Sequence, residues 1–309
     1  MEHAGKIMTV TGPVEPKDFG FTLPHEHILV DFIGAAEVGP HRYNADHVVE
    51  TMQPYLEAAR ALGVTGFVEC TPMYLARDAA ILRTLAERTG MHILTNTGQY
   101  KPPYLPETTF SLSAHELAAQ WIEEWNEGID GTGIRPGFIK TAVEPGVLPD
   151  ILRTTITAAA LTSRETGLTI GTHCGNWLAA REILTILETQ QVSASRWIFI
   201  HAQNESDSAL LLDAASRGAW IELDGIGEGT DEAHLVPLLR LLDAGFEAQI
   251  LLSQDAGWYR VGEEPGGEKK SYTYIIDRFL PLLGRYGLNQ QLIDTLMIDN
   301  PARAFTIQP

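Results

Sequence analysis

The chain has 309 residues, 44% hydrophobic and 8% aromatic, enough for one large buried core and normal for a single α/β barrel. Its 22 basic and 40 acidic side chains give a formal net charge of −18, and no basic cluster breaks the pattern, which excludes nucleic acid as a partner. No apolar run approaches the roughly eighteen residues of a membrane span, no Ser-, Gly- or Pro-rich linker divides the chain, and MEHAGKIMTVTGP lacks the basic-then-apolar order of a signal peptide. The expectation is one domain over 1–309, cytoplasmic, with no membrane partner.

In chain order, GKIMTVTGPV (5–14) predicts a β-hairpin, and FTLPHEHILVDF (21–32) is the first β-rich run. An amphipathic stretch follows at 46–63. Further β-rich runs at 64–71, 91–98, 136–143, 168–174, 196–203, 219–226 and 249–256 alternate with helical patterns at 77–90, 113–128, 148–167, 177–190, 205–218, 232–245 and 270–287. Ser113 and Glu116 have capping-box spacing, and most helical runs stop at a glycine. DNPARAF (299–305) predicts a short closing helix. Cys70 and Cys174 sit in apolar runs and read as buried free thiols of a reducing compartment. Eight strand–helix units predict a (β/α)8 TIM barrel behind a short N-terminal β-hairpin. A doubly wound open sheet is the alternative. It would favour a Gly-rich phosphate loop after the first strand, and none is present.

In such a barrel, functional groups gather at the C-terminal ends of the strands. His25 and His27 project to one face of the first strand, since side chains two apart share a side. Lys140, His173, His201 and Asp255 close the fourth, fifth, sixth and eighth runs. Taken singly, a histidine at a strand end is more often a satisfied polar group than a ligand, Asp255 reads equally as a cap, and a buried lysine normally snorkels or pairs. Together, four imidazoles, a carboxylate and an amine at one end of one barrel point to a divalent metal site. The amine cannot ligate a cation while protonated. A neutral lysine can add carbon dioxide and become a carbamate with two oxygens, but a bare lysine does not reveal this. His3, His41, His47, His92, His115 and His234 read as structural or solvent-facing.

The segments GFTLPHEH, TGIRPGFIKTAVEPG, GTHCGN, IHAQNESD, LLSQDAGWY and DNPARAF resemble the phosphotriesterase-like family of the amidohydrolase superfamily, over essentially the whole chain. The resemblance implies a metal-dependent hydrolase with two divalent ions, zinc first, with manganese, cobalt or iron as alternatives. His25, His27 and Asp255 would hold the more buried ion and His173 and His201 the more exposed one. Lys140, carboxylated on its amine, would bridge both together with a hydroxide. That hydroxide would attack a carboxylic ester or lactone carbonyl, the more exposed ion polarising the oxygen attacked. Phosphotriester and amide hydrolysis are the alternatives, and a non-catalytic metal-binding homologue is a third. Asp255 is the expected proton acceptor. Asp224 either orients a ligand histidine or is a surface loop residue.

Selectivity is expected in the loops after the strands. Tyr100 matches a tyrosine that lactonases of the family place near the metals, whereas Gly225 stands where those lactonases carry an arginine. Tyr104 on the same loop, and Trp258, Tyr259 and Arg260 after the last strand, are further expected substrate contacts. Glu69 and Thr71 are expected to border the pocket, and Lys269 and Lys270 to face water. The expected partners are a small-molecule substrate and a second copy of the chain.

Overall fold

A computed structural model describes residues 3–309. It opens with β1 (Ile7–Thr9), β2 (Gly12–Val14) and the short helix α1 (Pro16–Phe19). There follow β3 (Thr22–Val30), α2 (Ala45–Ala61), β4 (Gly66–Glu69), α3 (Ala79–Thr89), β5 (His92–Leu94), β6 (Asn96–Thr97) and α4 (Ala114–Glu127). Next come β7 (Phe138–Ala142), α5 (Asp150–Thr166), β8 (Ile170–His173), α6 (Trp177–Thr189), β9 (Trp197–Ile200), α7 (Ser208–Ser216), β10 (Trp220–Leu223) and α8 (Asp231–Asp243). The chain ends with β11 (Ile250–Leu252), β12 (Gly257–Arg260), α9 (Leu280–Arg285), α10 (Gln290–Asp294) and α11 (Asn300–Phe305).

β1 and β2 form the expected antiparallel hairpin, with Ile7 opposite Val14. Every other pairing between these strands is parallel. The neighbours run β3–β4–β5 and β6–β7–β8–β9–β10–β11, and β12 returns to β3. β5 and β6 are one strand interrupted at Thr95, so the two sheets share it. β11 and β12 lie on one stretch of chain, and the seam there is bonded: Asp255 N–H donates to His25 O at 3.1 Å and His27 N–H to Ala256 O at 2.9 Å. This is the connectivity of a (β/α)8 barrel.

The local signals act as read. Ser113 and Glu116 close a reciprocal capping box on α4, Asp78 caps α3 through Ala80 N–H and Ile81 N–H, and Gly90 and Gly167 end α3 and α5 in the left-handed conformation. Val68, Cys70, Leu94, Phe138, Ile198, Ile200 and Leu251 fill the inside of the barrel, and Phe19 and Phe305 join them in one cluster. Both cysteines are buried and unbridged. No helix among the described residues is long and apolar enough to cross a membrane.

The closing helix, expected over 299–305, already begins at Gln290 and passes through a π-turn at Thr295–Asp299 into α11. Two further boundaries differ from expectation. The last amphipathic pattern was expected to be helical from 270, yet helix begins with a π-turn at Ile275–Phe279 that leads into α9. Lys270 is diverted because its backbone exchanges two 3.0 Å hydrogen bonds with Gly257. The segment after Asp255, expected as loop, supplies β12. A backbone ladder overrides helical periodicity in the first case and loop composition in the second.

Glu26, between the two histidines of β3, points away from the barrel interior and ties β3 to the eighth strand. Its carboxylate accepts from Ser253 Oγ at 2.9 Å, Gln254 N at 3.2 Å, Gln254 Nε2 at 3.3 Å and Ala256 N at 2.7 Å. Burial pushes its carboxyl up to about 8 while these donors pull the other way. Glu26→Leu strands two buried backbone N–H groups, and each costs roughly 1–3 kcal/mol. The expected loss in urea unfolding is about 3 kcal/mol. A loss below about 1 kcal/mol would show that the tie is dispensable.

Candidate metal centre

Alternation in β3 sends His25 and His27 inward, after a register shift between Leu23 and Glu26. Each imidazole is held by one ring nitrogen. His25 Nδ1 lies 2.6 Å from Glu222 Oε1 and 3.3 Å from Asp224 Oδ2, and His27 Nδ1 lies 2.8 Å from Thr71 Oγ1. Both Nε2 atoms are thereby turned towards Asp255 Oδ1, His27 at 3.1 Å and His25 at 3.9 Å. His201 Nδ1 donates to Asp224 Oδ1, and its backbone N–H donates to Oδ2 of the same carboxylate at 2.9 Å. His173 Nδ1 lies 3.0 Å from the Tyr100 hydroxyl. The His25 and His201 rings are 5.3 Å apart and those of His173 and His201 4.4 Å apart. Lys140, 2% exposed in β7, faces the same space.

All six expected ligands, with Tyr100, Trp258 and Thr71, line one cavity of about 80 Å³ at the C-terminal end of the strands. Burial lowers the pKa of His25, His27 and His173. His25 is pushed down to about 4 by burial and then by the Lys140 charge, and His173 to about 2 by burial and the charges of His201 and Lys140. Neutral imidazoles keep a lone pair, which is what a cation needs. Burial would raise Asp255 and Asp224, but the facing histidines hold both carboxyls below the usual carboxylate range.

This donor set fits a pair of divalent ions. Ligand atoms of His25, His27 and Asp255 lie within 4.8 Å of one another, as do those of His201, Asp224 and Asp255. Asp255 Oδ1 is buried without a hydrogen-bond partner, an orphaned acceptor that a cation would satisfy. His201 (φ 61°) and Asp255 (φ 48°) both adopt the left-handed backbone. Strain of this kind clusters where geometry is over-determined by its surroundings.

The other expected site residues divide. The Trp258 ring lies 4.2 Å from the His27 ring, tilted by 35°. Tyr104 lies outside the cavity lining but packs on its rim, 6.1 Å from Tyr100 and 5.7 Å from Phe32. Tyr259 and Arg260, expected as substrate contacts, are not in the cavity. The Tyr259 hydroxyl sits 2.9 Å from His47 Nδ1 beside α2, and Arg260 is exposed near Glu263. Strand alternation in β12 turns Tyr259 away from the mouth that Trp258 faces, whereas Arg260 shares the parity of Trp258 but sits at the exposed end of the strand. Thr71 borders the cavity, whereas Glu69 turns to the N–H groups of Ile28 and Thr71. Lys269 Nζ donates to the carbonyls of Pro265 and Gly267. Asp224 is fully buried, not a surface loop residue. Gly225 has φ +78°, so an arginine there would be strained as well as larger.

Glu222, Phe32 and Lys101 were not anticipated. Glu222 was detectable: Trp220, Glu222 and Asp224 share a parity in WIELD, so a residue two before an inward Asp also points inward. Phe32 and Lys101 lie on loops, where no period fixes direction.

A model of the phosphotriesterase family matches residues 5–305. The phosphotriesterase homology protein of Escherichia coli K12 is 28% identical over 93% of this chain and 98% of its own length. The aryldialkylphosphatase of Saccharolobus solfataricus is 30% identical over 95% and 97%, and the N-acetyltaurine hydrolase of Tetraodon nigroviridis 27% identical over 99% of both. A triple mutant of the organophosphorus hydrolase from Deinococcus radiodurans superposes with a TM-score of 0.88 at 31% identity, covering 97% of each chain.

Proposed function

Since the chain belongs to the phosphotriesterase family, we propose that it is a binuclear metal-dependent hydrolase whose substrate is a carboxylic ester or lactone. The observation that carries the hydrolytic reading is the convergence of His25, His27, Lys140, His173, His201 and Asp255 on one cavity. In the proposal His25, His27 and Asp255 would hold one ion and His173 and His201 the other. Lys140, once its amine had taken up carbon dioxide and lost a proton, would offer carbamate oxygens as further ligands. When bound, the ions supply an activated water at neutral pH and polarise the oxygen under attack. Asp255 takes the proton of the attacking water and passes it towards the leaving oxygen. The Tyr100 hydroxyl is placed to hydrogen-bond the substrate beside His173, and Asp224 keeps the His201 ring in one orientation.

The preference for an acyl substrate rests on the Tyr100 hydroxyl beside His173, which can hydrogen-bond an acyl oxygen. Relatives named for an aryldialkyl phosphate and for N-acetyltaurine keep phosphotriesters and amides in the test panel. Dialysis against chelator is expected to abolish activity, and zinc, manganese or cobalt to restore it at about two ions per chain. On the restored enzyme, kcat/KM over lactones, aryl esters, N-acyl amides and dialkyl aryl phosphates is expected to be highest for the first two classes. Full activity in metal-free protein would overturn the proposal.

A further inference from the structure

One cation beside the cavity is not among the expected metal ligands. Lys101 follows Tyr100 on the loop after β6. Its Nζ lies 3.4 Å from His173 Nε2 and 5.7 Å from the centre of the Tyr100 ring. Its counter-charge is Glu144, at 3.0 Å on the loop after β7. The two ends of this pair differ: the lysine side chain is 15% exposed and the glutamate 56%. A largely buried ammonium needs an anion at all times. A half-exposed carboxylate is a replaceable one, because pairs with a solvent-exposed partner are worth little.

We propose that Lys101 makes the site selective for acyl substrates that carry a carboxylate or sulfonate, with Glu144 holding the place until such a group arrives. The inference rests on the reading of the cavity as a hydrolytic site and names the substrate class. The rest of the rim supports it. Phe32 and Trp258 stack 5.9 Å apart and form an apolar wall that offers a charged substituent no partner. The net charge of −18 repels anions at long range, and a local cation is what offsets this at the mouth.

The test compares 4-nitrophenyl hydrogen glutarate with its neutral analogue 4-nitrophenyl valerate, in the metal-loaded wild type, Lys101→Gln and Glu144→Gln. Lys101→Gln is expected to lower the anionic-to-neutral ratio of kcat/KM about tenfold or more, and Glu144→Gln to raise it. A ratio unchanged in Lys101→Gln overturns the proposal. A second readout needs no turnover: calorimetry with ethanesulfonate is expected to show binding to the wild type that Lys101→Gln loses. Equal binding, or none to the wild type, also overturns it. If neither ester is hydrolysed, the aryl-ester reading fails while the ethanesulfonate comparison still decides the role of Lys101.

Discussion

Lys140→Ala is expected to lose at least one of about two bound metals per chain and to lower kcat/KM about 10³-fold or more. The physical case is the cost of the alternative. A protonated lysine, 2% exposed and facing four imidazoles that would each carry a share of positive charge once loaded, opposes cation binding by Coulomb repulsion. Were Lys140 an ammonium in the working enzyme, its removal would strengthen metal binding. Were it a carbamate, its removal would delete two oxygens and a negative charge from between the ions. The two cases therefore predict opposite signs in metal content measured by elemental analysis. Lys140→Glu separates charge from reach, since it supplies a carboxylate on a shorter stem. It is expected to retain more metal than Lys140→Ala. Full metal and full activity in Lys140→Ala would remove the bridge from the mechanism.

The alternation of β-rich and helical runs was legible because each obeys its own period. β3, β7, β8, β9 and β10 fall inside the expected runs, and Lys140, His173 and His201 gather where the C-terminal-end rule puts them. Direction was less legible beyond the regular strands. Tyr259 looked like Trp258 in sequence, yet β12 turns one towards the mouth and the other towards His47. Pairing of Gly257 with both His27 and Lys270 sets that direction, and both partners are remote in the chain. Glu222 lay in plain view, but as a buried carboxylate under His25 it gains meaning only once the barrel brings β10 beneath β3. Lys101 illustrates the limit: neither its contact with His173 nor its pairing with Glu144 leaves a periodic trace.

Asp255→Asn is expected to reduce kcat by about 10²–10⁴-fold, the usual weight of a positioned proton acceptor, with a smaller loss of metal than in Lys140→Ala. The backbone aims this side chain from both ends. Its N–H donates to His25 O at 3.1 Å, and its carbonyl accepts from Trp258 Nε1 at 2.7 Å. With φ at 48°, the residue cannot relax without breaking these bonds, so asparagine should keep the same position and still offer one oxygen to a cation. What it cannot do is take a proton. The facing histidines hold the Asp255 carboxyl below the usual carboxylate range, so it stays ionised across neutral pH. Any limb of the pH–rate profile near neutrality then does not belong to Asp255, and such a limb should persist in Asp255→Asn. Asp255→Ala, which removes the ligand oxygen as well, should lose metal too. If Asp255→Asn keeps kcat within about fivefold of wild type with metal content intact, the proton leaves by another route and Asp255 is a ligand alone.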